Sequence, residues 1–261
     1  MGAALSGGEL RGTVLQLGVH GVEAGVEDAP RDRPQRIAYP VRAAVRRRRN
    51  VSFRLARVTG VDLEARRLDT TAGDLDYDHL VVAAGAVNNY FGVDSAEEHA
   101  HGLKSLGEAL AVRNHLLSCF ERAAWTEDPV ARRRLHTVVL VGGGATGVEL
   151  AGAVSELVHL VLRKDFPDLD LGEVDIVIVE GGDTVLGAFA PSLQRSAIRS
   201  LERKGVRLAF GAQVAVVDEN GVTLRDGGRI EAATVGWPSP TARDGWRWDR
   251  RSSSPAIPRC S

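Results

Sequence analysis

The residue types and spacing that could carry chemistry begin at Gly142-Gly143-Gly144-Ala145-Thr146-Gly147, a G-x-G-x-x-G run directly after the apolar Val138-Val139-Leu140-Val141. Between a buried strand and a helix, each glycine has a physical job. Gly142 permits the tight turn, Gly144 lets the backbone approach a pyrophosphate, and Gly147 lets the helix pack closely on the strand. The pyrophosphate would sit on the helix N-terminus, where unpaired N–H groups and the helix dipole favour an anion. A second apolar strand, 175–179, ends in Glu180. An acid there accepts hydrogen bonds from an adenosine ribose and repels a 2′-phosphate, so the pattern points to NADH rather than NADPH. Its distance from Gly142 exceeds the usual spacing of about 20 residues, and the helix and the loop at 166–172 must absorb the excess. Gly143 and Thr146 complete the candidate nucleotide turn. Glu149 follows the last glycine and has two readings, a functional acid or a first-turn helix stabiliser. A second segment, Tyr77 to Ala86 with the sequence Y-D-H-L-V-V-A-A-G-A, leads into a strand-like run at 80–83 and ends on small residues, among them Ala84 and Gly85. Small residues there would let a cofactor approach the chain.

These residues need elements to hold them. Beyond Thr137 the order is strand, glycine-rich turn, long helix, strand, helix and a run of short strands, the grammar of a doubly wound α/β domain. The second helix spans 192–204 and Gly205 ends it in the expected position. Strands fall at 206–210, 214–217 and 233–237, with hairpin turns at Asn220-Gly221 and Asp226-Gly227. Upstream, a helix over 106–124 starts with the capping-box pair Ser105 and Glu108. On it His115 reads as a surface residue and Cys119 as a packing residue, because no base, thiol or metal-ligand partner sits at useful spacing. Strand-like runs occupy 51–58, 67–71 and 80–83, with a turn near Glu64. A short helix after Pro40 ends in the run Arg46-Arg47-Arg48-Arg49, which reads as a solvated helix end. Residues 1–36 show no periodicity and are assigned no structure.

Composition narrows the function classes. The chain has 261 residues, 29 glycines and a net charge of -1, so no global field draws in nucleic acid or an anionic membrane. Its two cysteines, Cys119 and Cys260, form no C-x-x-C pair, which speaks against a redox dithiol and fits a reducing, cytoplasmic setting. No segment reads as a transmembrane span. The seven histidines include no metal-binding spacing, and the Tyr-x-x-x-Lys pair of short-chain dehydrogenases is absent. The tail tryptophans Trp237, Trp246 and Trp248 fit a structureless tail better than a membrane anchor.

Over residues 37–237 these stretches together resemble the pyridine-nucleotide oxidoreductase superfamily and, within it, the type II NADH dehydrogenases. Residues 77–86 resemble the family's Y-D-x-L-V-x-A-x-G segment, and Asn88-Asn89-Tyr90-Phe91-Gly92 resembles the sequence that follows it. The most specific piece is Thr146-Gly147-Val148-Glu149-Leu150-Ala151-Gly152. The resemblance implies a Rossmann-like, doubly wound NADH-binding domain over 137–237. It also implies an incomplete FAD-binding domain with a linker helix over 37–136. Residues 1–36 are expected to fall outside the family pattern, and 238–261 form a divergent, disordered tail. Both ends are expected to reflect truncation or an out-of-frame reading, because the family's first glycine motif and its flavin-holding G-D segment are missing. By the same resemblance Glu149 lies near nicotinamide and flavin, while Val58, Ala84 and Gly85 contact FAD. The implied activity is hydride transfer from NADH to FAD and on to a quinone. Peripheral membrane contact on the cytoplasmic face belongs to full-length relatives. The alternative is an NADH-binding fragment without turnover.

Overall fold

The computed structural model describes residues 12–16, 42, 45–83, 88–166 and 170–238. They divide into two compact units, with the boundary at Gly85 and Ala86. The expected boundary at Thr137 therefore moves upstream. The helix expected to belong to the flavin half lies within the second unit, where its apolar face joins that unit's core.

In the first unit, β1 (Gly12–Gln16) pairs in parallel with β2 (Val51–Leu55). The N-terminal stretch thus contains a strand where none was expected. Only five residues long, it is too short for a periodicity test, and a partner strand decides it. A separate antiparallel sheet joins β3 (Val58–Asp62), β4 (Arg67–Thr70) and β5 (Leu75–Asp76). The strand expected over 51–58 is thereby broken at Ala56 and Arg57. The turn near Glu64 forms as expected. Asp62 Oδ1 accepts from the N–H groups of Glu64 and Ala65 at 3.0 and 2.7 Å, a local bond that competes with strand extension. Residues 80–83 form no strand; Val81 and Val82 are 47% and 50% exposed. An apolar run becomes a buried strand only where a ladder partner and two covering layers are present, and neither sheet of this unit takes it in. Of the short helix expected after Pro40, Arg42 and Val45 are helical, while Arg46 to Arg49, expected at its end, lie in turns beyond it. The guanidinium of Arg42 lies 4.6 Å from the centre of the Phe53 ring.

The second unit is built on four parallel strands. These are β6 (Thr137–Val141), β7 (Asp175–Glu180), β8 (Val206–Phe210) and β12 (Thr234–Gly236), in the order β12-β6-β7-β8. In chain order this is 4-1-2-3, one half of a dinucleotide-binding fold with its switch point between β6 and β12. The expected α/β, Rossmann-like architecture is present. Alternation sorts the strand residues to two faces. Val138, Leu140, Ile176 and Ile178 join one core, while Val139, Val177 and Val179 join the other. With both faces covered, the strands read as near-continuous apolar runs. Burying each such side chain contributes about 1.5–3 kcal/mol.

Helices cover the first face. They include α2 (Leu106–Ala124), α4 (Ala145–Glu156) and α5 (Pro191–Arg203), through Leu116, Phe120, Ala151, Val154 and Leu201. Helix α4 continues as a π-helix over Leu157–Leu162. The second face is covered by α1 (Ser95–His99) and an antiparallel meander of β9 (Val214–Asp218), β10 (Gly221–Leu224) and β11 (Arg229–Glu231). Ser105 and Glu108 form the expected capping box on α2. Gly205 at φ +75° ends α5. The backbone of His101 extends the β12 edge, its N–H donating to Val235 O and its carbonyl accepting from Trp237 N–H, each at 2.8 Å.

Two expectations on side chains change and a third holds. Trp237 is buried at 3% exposure, donating from Nε1 to Asn89 O at 3.0 Å, so it anchors the end of β12. His115, expected at the surface, is half-buried with Nε2 2.8 Å from Ala233 O. Cys119 is fully buried as a packing residue, 3.5 Å from His115 Nε2. Trp246, Trp248 and Cys260 lie outside the described residues. Among the described residues no helix is long and apolar enough to cross a membrane.

Helix α3 (Pro129–His136) starts from an Asp128 cap and ends in the buried His136, whose ring lies 5.0 Å from Phe120. Burial pushes the His136 pKa down, against the opposing pull of Glu173 3.6 Å away. A base whose folded pKa lies below its unfolded value stabilises fully only above the unfolded pKa, about 6.5. Its contribution falls as pH drops from there toward the folded pKa. The melting temperature is therefore expected to decline between about pH 7 and 5, and His136→Leu to flatten part of that slope. An unchanged slope in thermal melts across this range would refute the assignment.

Candidate functional site

The C-terminal ends of β6 and β7 bring the predicted residues together. Gly142 takes φ +109°, a conformation open to glycine, and its N–H donates to Val179 O at 2.8 Å. Gly144 is the N-cap of α4, and no side chain caps that end. The first intrahelical bond runs from Val148 N–H to Gly144 O at 3.0 Å. The preceding N–H groups therefore stand ahead of the helical ladder, at the positive end of the dipole.

The glycines divide by what an added Cβ would meet. At Gly147 it would lie 2.0 Å from the carbonyl oxygen of Gly142 and 3.6 Å from Pro238 Cγ; at Gly144 nothing lies within 4 Å. The first is a packing requirement of the fold. The second leaves an open approach over the helix N-terminus, a cradle of the kind a pyrophosphate fills.

Glu180 ends β7 and reaches back to this turn. Its Oε2 accepts from Gly143 N–H at 2.6 Å and its Oε1 from Gly182 N–H at 2.7 Å. A carboxylate has about four lone-pair sites, so two remain for the hydroxyls of a ribose. Glu180 thereby both shapes the turn and presents negative charge beside it. Thr146 lies half-buried in the first turn of α4, and Glu149 is exposed on the same helix. Val58 begins β3 in the first unit, paired with Thr70. Ala84 and Gly85 lie outside the described residues.

Sequence reasoning missed the segment that backs the turn. Val185 is fully buried, and Leu186 donates its N–H to Gly143 O at 2.7 Å. The amide of Gln194 reaches Phe189 O at 2.9 Å. These bonds fall on backbone oxygens, which carry no residue signature. The neighbouring stretch 88–92 packs at the β12 end. The Tyr90 and Trp237 ring centres are 5.8 Å apart, and Asn88 Nδ2 donates to Glu108 Oε1 at 3.1 Å. Among the described residues no cluster of three or more His, Cys, Asp or Glu could hold a metal ion.

A parallel sheet with a glycine turn at its switch point and an acid at the end of the next strand defines a dinucleotide-binding α/β protein. The pyridine nucleotide-disulphide oxidoreductase family matches residues 9–238, and the chain belongs to it. The match includes most of the stretch 1–36 that was expected to fall outside the family. The chain is 38% identical over 209 residues to a type II NADH:quinone oxidoreductase of Mycobacterium tuberculosis, Ndh, covering 77% of this chain and 45% of that protein. It is 36% identical to a second one, NdhA, covering 79% and 46%. It therefore spans less than half the length of either relative. Among solved structures, NDH2 of Plasmodium falciparum in complex with NADH superimposes with a TM-score of 0.67 at 19% identity, covering 77% and 44% of the two chains. That likeness confirms the fold.

The two glycines should respond differently to the same change. Gly147→Ala is expected to destabilise the protein by about 1–3 kcal/mol through overpacking. Gly144→Ala should cost about 1 kcal/mol or less yet weaken nucleotide binding at least about tenfold. Denaturant melts and NADH titration of both variants check this; equal behaviour of the two would contradict the assignment.

Proposed function

We propose that the second unit binds NADH and that the chain serves an FAD-dependent NADH dehydrogenase of the NADH:quinone oxidoreductase type. The observation that carries the reading is the bond from Gly143 N–H to Glu180 Oε2 at 2.6 Å. It sets a fixed negative charge beside an uncapped helix N-terminus. The pyrophosphate is held by the helix end and the open side of Gly144, and the ribose diol by Glu180. The same carboxylate repels a 2′-phosphate, which favours NADH over NADPH.

The residues present fit the nicotinamide dinucleotide, because the cradle at Gly144 is one that a larger side chain would fill. For FAD, resemblance assigns Val58, Ala84 and Gly85, with Glu149 near the meeting point of the two cofactors. Among the described residues of the first unit, Val58 lies on a strand, and no glycine turn opens a helix. In the family the flavin's chemistry is acceptance of hydride from the nicotinamide. The chain's own part is to bind the nucleotide and keep its phosphates on the helix end. The electron acceptor proposed is a quinone, and the setting proposed is cytoplasmic, with peripheral membrane contact proposed only for a full-length protein of this family. The exposure of Val81 and Val82 where a buried strand was expected supports a second reading, an NADH-binding chain without turnover.

Purified protein is expected to bind NADH at least about tenfold more tightly than NADPH, and Glu180→Ala to narrow that ratio. Equal affinity for both nucleotides in the wild type would overturn the NADH assignment. Visible flavin absorbance with NADH-dependent reduction of a soluble quinone supports the dehydrogenase; a colourless protein that binds NADH without turnover supports the second reading.

A further inference from the structure

The geometry points to Leu186 as a positioning residue for the pyrophosphate end of the site, acting through its backbone N–H on the peptide between Gly143 and Gly144. This rests on the dinucleotide reading above. Gly143 is buried, and both its polar backbone groups are taken: the N–H by Glu180 Oε2 at 2.6 Å, the carbonyl by Leu186 N–H at 2.7 Å. In a trans peptide the carbonyl and the following N–H point in opposite directions, and the described chain contains no cis peptide. Drawing Gly143 O toward Leu186 therefore turns the Gly144 N–H away from that segment. This N–H precedes the helical ladder of α4 and belongs to the glycine whose Cβ side is open.

Leu186 reaches this position at φ +55°, a conformation uncommon for non-glycine residues and kept where surrounding structure over-determines it. The surroundings do so here. Val185 is fully buried beside Gly143, where an added Cβ would come within 2.9 Å of Val185 Cγ1. Leu186 itself packs against the helical core. Its carbonyl accepts from Phe189 N–H at 2.8 Å and from Gln194 Nε2 at 3.5 Å. The first turn of α5 thus holds the 186–189 turn, the turn holds Gly143, and Gly143 aims the donor at Gly144.

An amide-to-ester replacement at Leu186 in the full chain removes the N–H while keeping the side chain. Calorimetric titration with ADP-ribose and with adenosine then separates phosphate recognition from nucleoside recognition. The ester is expected to weaken ADP-ribose about five- to tenfold, the scale of one hydrogen bond, and to leave adenosine unchanged. Leu186→Gly, which keeps the N–H and adopts positive φ freely, should retain wild-type affinity for ADP-ribose. No loss in the ester, or an equal loss for both ligands, would overturn the positioning role. Failure of the unmodified protein to bind ADP-ribose would instead sink the dinucleotide reading on which it rests.

Discussion

The second unit depends on one contact, the close approach of Gly147 to the carbonyl oxygen of Gly142. A Cβ at Gly147 would lie 2.0 Å from that oxygen, so the helix can leave the strand at this distance only without a side chain. Everything at the site follows from the approach. It seats α4 against the sheet, brings the helix N-terminus to the C-terminal ends of β6 and β7, and places Gly143 within reach of Glu180. A helix started one residue later, or held further off by a side chain, would aim its free N–H groups elsewhere.

Glu180 answers a problem that the turn creates. A tight glycine turn leaves backbone N–H groups in a half-buried place, and unpaired donors there are costly. The carboxylate satisfies the one at Gly143 and also accepts from the exposed N–H of Gly182, while remaining at the rim where a ribose would lie. On the proposed function, structure and recognition are carried by the same two oxygens.

The legibility of this fold in its sequence follows physical lines. The glycine turn, the strands flanking it, the capped helix α2 and the hairpin turns at Gly221 and Gly227 were readable because each needs particular side chains at fixed offsets. The strand Gly12–Gln16 was not, since only its pairing with Val51–Leu55 defines it. Residues 80–83 show the converse: an apolar run carries a strand signal, yet burial requires neighbours that the sequence cannot display. Trp237 is legible as the end of the 233–237 strand but not as a buried anchor, because the contacts that fix its ring, Asn89 and Tyr90, lie almost 150 positions away in the chain. The Leu186 bond to Gly143 left no trace, being made by an N–H that nearly every residue possesses.

His101 closes the β12 side of the sheet with two backbone bonds, to Val235 and from Trp237. An open strand edge is a template for pairing with another chain, and proteins guard against it by covering or charging the edge. Here an extended residue between α1 and α2 covers one edge. At the other, β8 carries Arg207, paired at 2.7 Å with Asp175. Four strongly apolar parallel strands are thus shielded from self-association at both flanks, one by chain routing and the other by charge.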